Sequence, residues 1–286
     1  AGVLVNINKN IFNSDESVNT NSRYSWSSNG LERILNGNGI PNHEVGTFPN
    51  NHNPNSIREQ TINKRFTLCP NIISESGLEL VGPALVIAYA LNSVKFDPGT
   101  AGRCNDQGVC SLAQGQGNWN IEALGHDTFD FGDDMNHAHV QPNGAYHYHG
   151  IPELLVDFLG DSEGMTLVGW AADGFPVYAR YGFSDANDST TKTIALKPSY
   201  RLKSQPDPNR PMVLTRLSGG PGQGTTPNTP IAMGAFTQDY EYVNGLGDLD
   251  RCNGRYGITP EFPKGIYYYV VTDDFPFFTR CLKGNI

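Results

Sequence analysis

The sequence predicts a mainly β protein: one domain, built as a sandwich or distorted barrel with long loops and few short helices. Three observations carry this. Apolar residues come in short runs, or alternate with polar ones at the period of two that a strand imposes. Turn formers are dense, with 32 Gly and 19 Pro in 286 residues, so extended segments stay short. Helical periodicity is nearly absent.

Residues 1–70 are rich in Asn, Ser and Gly, and Gly2–Ile7 alternates like a strand. The stretch NGIPNHEVGTFPNNHNPN (38–55) reads as an ordered surface loop whose asparagines satisfy its own backbone. From it, His43 or His52 could reach a metal. Residues 72–95 hold two strand candidates. Within them LVGPALVIAYAL (80–91) is the longest apolar run, too short and broken to span a bilayer and better read as a buried strand. Residues 97–120 form a Gly-rich loop, Glu153–Leu159 one short helix, and VGWAADGFPVYARYG (168–182) a strand, a turn at Asp173-Gly174 and a second strand. SGGPGQGTTPNTP (218–230) reads as a flexible loop. The strand-rich end, 247–284, echoes an earlier stretch: GIYYYV matches GAYHYH, and Asp250-x-x-Asn253 matches Asp133-x-x-Asn136. This points to a decayed internal repeat over about 127–182 and 247–284.

The chemistry is concentrated in NHAHVQPNGAYHYHG (136–150), which holds four of the seven histidines. Residues two apart on a strand share a face, so His137-x-His139 and His147-x-His149 each present two imidazoles side by side. Pro142-Asn143-Gly144 suits a three-residue hairpin loop, a type I turn closed by a left-handed glycine. That loop sets Gln141 opposite Ala145, His139 opposite His147 and His137 opposite His149. All four rings then share one face, with opposed Cβ atoms about 5 Å apart. One residue more or less in the loop would break the cluster.

Converging imidazoles suit zinc or copper. The competing reading is an aromatic ladder, Tyr146-x-Tyr148, with unliganded histidines behind it. A catalytic zinc keeps three protein ligands and an open position, so one of the four rings need not bind. In the enzyme reading, a His-ligated Zn or Cu polarises a bound water or substrate oxygen. Tyr146, Tyr148, Asp173 or Arg180 then supply proton transfer or charge stabilisation, and Asp173 is also a candidate fifth ligand. Two further readings are a non-catalytic copper or zinc sequestration protein and a binding or adhesion module with structural histidines. No G-x-S-x-G, H-E-x-x-H or P-loop is present. The acidic approach, Asp127, Asp130, Asp133 and Asp134, lacks an EF-hand pattern and reads as a solubilising lead-in rather than a calcium loop. Metal-dependent stability is expected to fade as pH falls through roughly 6, where free histidine protonates.

Net charge is −9 with scattered Lys and Arg, which argues against nucleic acid and anionic membrane as partners. The chain begins AGVLV without methionine, as a processed secreted protein or a trimmed chain does. Five cysteines lack zinc-finger spacing. Cys104–Cys110 and Cys252–Cys281 are the expected disulfides, normal in a secreted or periplasmic protein, with Cys69 left over and buried.

The tetrapeptide YHYH (146–149), with NGIPNH (38–43), FPNNHNPN (48–55), DGFPVYARYG (173–182) and LDRCNGRYGITPEFPKGIYYY (249–269), resembles the YHYH-domain proteins, a mostly secreted family. The resemblance spans most of the chain, 1–286 being read as a single YHYH-type domain. It implies that the histidine before the turn is His139. His137 is then a local extra, and the favoured ligands are His139, His147 and His149.

Overall fold

The computed structural model describes residues 6–79, 86–160, 163–219 and 228–286. Period-two alternation in the first 70 residues produces an antiparallel meander: β1 (Ile7–Asn13), β2 (Thr20–Ser28), β3 (Glu32–Gly37) and β4 (Ile62–Thr67). Tyr24, Trp26, Leu35 and Phe66 are buried on one face, while Arg23 and Lys64 remain in solvent. The first half of the expected Gly2–Ile7 strand lies outside the described residues, and the observed strand starts at Ile7.

The centre of the molecule is an eight-stranded sheet. Its strands are β5 (Ala88–Ala90), β6 (Lys95–Phe96), β7 (Ala138–Val140), β8 (Tyr146–Tyr148), β9 (Thr166–Ala171), β10 (Pro176–Ala179), β11 (Gly254–Gly257) and β12 (Ile266–Val271). They lie in the order β7-β8-β6-β5-β9-β10-β12-β11. Read outward from the antiparallel central pair β5–β9, the two halves repeat one connectivity. Each has a tight hairpin (β5–β6, β9–β10), then a parallel pair (β6–β8, β10–β12), then an antiparallel outer pair (β8–β7, β12–β11).

The match extends to single hydrogen bonds. The Asp134 amide donates to the Ala138 carbonyl and Tyr146 Oη to the Asp134 carboxylate. The Asp250 amide donates to Gly254, and Tyr267 Oη to the Asp250 carboxylate. The left-handed residues His137 (φ 52°) and Asn253 (φ 54°) occupy the same bend. Asp250 therefore corresponds to Asp134, one residue away from the Asp133 pairing read in the sequence. The strands at 166–179 correspond to 88–96, not to anything in 247–284.

The meander covers one face of this sheet, so the architecture is a β sandwich. Trp26 and Phe66 meet Tyr89, Trp170, Tyr178 and Tyr268 there, and Trp26 Nε1 donates to the Leu91 carbonyl at 2.9 Å. On the other face, Tyr146, Tyr148, Tyr267 and Tyr269 pack with Val45, Phe48 and helix α1 (Glu153–Leu159). That helix has the bounds the sequence predicted and stops at left-handed Gly160. No helix of the described residues is long and apolar enough to cross a membrane, and no barrel closes among them.

A smaller unit flanks the β7 edge. Short strands at Arg103–Cys104, Val109–Ser111, Trp119–Asn120 and Arg216–Ser218 form a sheet around Phe129, Phe131 and Phe236. Most of the loop expected at 218–230 lies outside the described residues.

Two expectations fail. The first part of the 38–55 stretch, residues 38–43, is buried rather than on the surface, while 49–55 stays mostly at the surface, and its asparagines also satisfy backbone beyond the loop. Asn53 and Asn55 both donate to the Val140 carbonyl, at 3.0 and 2.8 Å, which blunts the open edge of β7. Both disulfides form as predicted, but the remaining thiol, Cys69, is exposed rather than buried. It follows β4, and its backbone amide is held by Thr67 Oγ1. A thiol reagent should therefore label one site per folded chain without denaturant. Unreduced peptide mapping should recover 104–110 and 252–281, and protection of Cys69 until unfolding would contradict the structure.

Candidate metal centre

The hairpin closes as its turn residues dictate. The Gly144 amide donates to Gln141 at 2.8 Å with Gly144 at φ 87°, and Gln141 pairs with Ala145. His139 stands opposite His147. The His149 amide donates to the His137 carbonyl at 2.8 Å. Backbone register is thus the predicted one, yet only three imidazoles converge. At φ 52° the backbone bends at His137, which takes its Cβ out of the strand alternation. The ring docks by Nδ1 on the Ile151 carbonyl at 2.8 Å and is not one of the converging groups.

His139, His147 and His149 are buried, with ring centroids 4.5–4.7 Å apart. One ligand nitrogen from each lies within 4.8 Å of the other two. The Nε2 atoms of His139 and His149 are 3.2 Å apart. A tetrahedral ion with bonds of about 2.0–2.1 Å holds its ligand atoms about 3.3–3.4 Å apart, so this spacing fits. The tautomers fit as well. His139 donates from Nδ1 to Asp133 Oδ1 at 2.7 Å, and His147 directs Nδ1 at the Ala145 carbonyl at 3.3 Å. Each hydrogen bond leaves the Nε2 lone pair for a cation.

Electrostatics keep His147 and His149 neutral. Burial, reinforced by the neighbouring imidazoles, pushes His147 well below the usual histidine range. Burial and His139 push His149 down to about 3. Asp133 experiences the opposite balance: burial raises it, but the facing His139, His149 and His137 more than offset this and leave it below the ordinary carboxylate value. The acidic lead-in is therefore not a solubilising device at this position, since Asp133 orients a candidate ligand. Asparagine at 133 cannot hold the imidazole by a charged bond. An Asp133→Asn protein should bind Zn²⁺ about 10–100-fold more weakly in competition with a chromophoric chelator. Unchanged affinity would remove Asp133 from the site.

Over most of its length this sheet face is roofed by the meander. At the β7-β8-β6 end it opens on a cavity of about 600 Å³, lined by the three imidazoles together with Thr100, Leu112, Gly219 and Phe131, whose ring stacks on His139. His52 lines it too, with Nε2 3.4 Å from Asp130, but is not among the converging ligands. His43 is on the opposite, tyrosine-bearing face, where its Nε2 meets Tyr148 Oη at 2.6 Å.

The residues expected to move protons lie elsewhere, because strand alternation and local pairs commit them. Tyr148 Oη engages His43 and Asn92. Tyr146 donates to Asp134 at 2.7 Å. Burial pushes both phenols far up, so they stay protonated at neutral pH. Asp173 accepts from Tyr269 Oη at 2.6 Å and from the Gly284 amide at 3.0 Å. Arg180 pairs with Glu153 and Asp273. None of the four lines the cavity.

In their place stands Asp97, which follows β6 and escaped sequence reading. Lys95 registers with His147 and the Asp97 amide donates to the Tyr148 carbonyl, so Lys95 and Asp97 share the face of His147 and His149. The spacing Lys-x-Asp beside His-x-His was the available signal, but it needed the parallel β6–β8 pairing to be read.

A sequence profile of the YHYH proteins matches residues 65–284. The chain belongs to the YHYH family. The matched span contains the whole eight-stranded sheet, the imidazole cluster, Asp97 and Asp133. NGIPNH and FPNNHNPN precede it, so those two segments lie outside the YHYH match. No curated protein and no solved structure matches the chain.

Proposed function

We propose that this YHYH protein is a secreted or periplasmic metalloenzyme whose His139, His147 and His149 hold one divalent ion, zinc or copper. The observation that carries this reading is the open side of the triad. Three imidazole nitrogens converge, His137 is bent away, and the triad lines a small-molecule-sized cavity. A three-imidazole set with an exogenous position is the catalytic arrangement for zinc, whereas a storage or structural site is closed by a fourth protein ligand. The ion would supply Lewis acidity toward an oxygen or nitrogen of the molecule in the cavity. The chain's own contribution is to fix His139 and His147 through Asp133 and the Ala145 carbonyl, to keep His147 and His149 unprotonated by burial, and to enclose the reacting group in the cavity. Two disulfides fit an oxidising compartment.

Sequestration without chemistry is the second reading. The bend at His137 weighs against it, because that bend removes the ring that would saturate the ion. Elemental analysis of the chain purified without chelator tests the proposal: about one zinc or copper per chain is expected. Metal-free protein that also fails to take up either ion on addition would refute it.

A further inference from the structure

Asp97 has a property the metal reading leaves unexplained. It is 1 % exposed, yet only one of its oxygens is used. Oδ2 receives Lys95 Nζ at 3.2 Å and Gln141 Nε2 at 3.1 Å, while Oδ1 has no partner. A buried acceptor without a donor is uncommon and calls for a missing partner. Asp97 lines the same cavity as the three imidazoles and shares their sheet face. Lys95 is itself held by Gln141 at 2.8 Å, and among the described residues no lysine or arginine lines the cavity. Its walls offer amides instead, from Asn53, Asn55, Gln141 and Asn143, beside the apolar Phe131 and Leu112.

We propose that Asp97 is the specificity residue of this cavity: it accepts a hydrogen bond from a neutral or cationic small molecule bearing an O–H or N–H group, bound beside the imidazole triad, and disfavours anions. The inference rests on the metal reading above. Burial disfavours the charged form of Asp97 and the paired Lys95 ammonium opposes that; as the Lys95-paired carboxylate it gives a donor on the ligand a charge-assisted bond. An anion drawn to the ion also meets the Asp97 carboxylate beside it, which offsets part of that attraction where screening is weak.

Cobalt(II) in the triad gives a visible spectrum that reports the exogenous position, and two probes differ only in the donor. Imidazole binds an ion through one nitrogen and presents an N–H on the other; 1-methylimidazole has nearly the same basicity and no N–H. The cobalt-loaded wild-type chain should bind imidazole about ten-fold more tightly or better, the scale of a hydrogen bond to a charged group. Azide, an anion with no donor, should bind weakly to the wild type and at least ten-fold more tightly to Asp97→Asn, while Asp97→Glu keeps the exclusion. The wild-type ratio decides the matter even if a variant does not fold. A chain that takes up one cobalt and shows a ratio near one overturns this inference alone, as does unchanged azide affinity in a folded Asp97→Asn protein. A chain that takes up no cobalt overturns the metal reading, and this inference with it.

Discussion

Alanine at His147 or His149 is expected to abolish metal binding, whereas alanine at His137 should leave about one ion per chain. The asymmetry follows from the bend at His137. His147 and His149 each contribute one of three converging nitrogens, and two remaining imidazoles in a buried site cannot satisfy an ion that prefers four donors. His137 contributes a hydrogen bond to the Ile151 carbonyl before α1 instead. Its loss should cost about 0.5–1.5 kcal/mol of stability, the usual net value of such a bond. Metal content by elemental analysis, set beside urea midpoints, separates the two outcomes. A His137→Ala protein as metal-depleted as the others would mean that all four rings ligate, and sequestration would become the better account.

The metal-free protein should lose stability steeply on acidification from pH 6.5, and the buried histidines should carry most of the loss. In the unfolded chain a histidine takes up a proton near pH 6.5. In the folded chain His149 does so only at about 3, and His147 is also pushed well below its ordinary value. Between those limits the unfolded state holds more protons, so stability is full above pH 6.5 and falls as pH drops. The slope is about 1.4 kcal/mol per pH unit for each histidine. Two together give roughly 2.7 kcal/mol per unit below pH 6. His43, lowered by burial, adds in the same direction. Asp97 and Asp173, raised by burial, act oppositely: there the folded state binds the extra proton, and stability is regained as pH falls through their folded values. Urea denaturation of metal-free protein at pH 7, 6 and 5 should show the decline. A His147→Gln/His149→Gln double variant should lose most of the slope, and an equally steep decline in it would contradict the assignment.

The same shifts revise the expected pH dependence of metal binding. The ion competes with protons on the folded chain, where His147 and His149 are already held neutral. Proton competition at His147 and His149 should therefore set in at lower pH than for free histidine.

The hairpin was readable in sequence because it is local. Pro142-Asn143-Gly144 determines the loop, the loop determines the register, and the register places His139 against His147. Glu153–Leu159 was readable for the same reason, as a short apolar segment ended by Gly160. What escaped depends on contacts distant in sequence. Asp97 joins the site only through the β6–β8 pairing, across about fifty residues, as the intervening disulfide unit loops out. Tyr148, Asp173 and Arg180 looked available because their partners, Asn92, Tyr269 and Asp273, are likewise remote. His137 failed for a subtler reason. Strand periodicity assumes extended backbone, and nothing in the local alternation announced a left-handed residue at the strand's start.

The two matching half-sheets allow a comparison that a single half could not. Where one carries His139, His147 and His149, the other carries Arg255, Tyr268 and Val270: Arg255 pairs with Tyr268 as His139 does with His147, and the Val270 amide reaches Asn253 as that of His149 reaches His137. Arg255 Nε donates to Tyr268 Oη at 2.7 Å, and Tyr268 and Val270 fill the core under the meander. The same bends, pairings and tyrosine–aspartate bond hold without a single imidazole. The backbone arrangement common to the two halves is therefore built once around imidazoles and once around an arginine, a tyrosine and a valine, so the pairing itself does not depend on a histidine side chain.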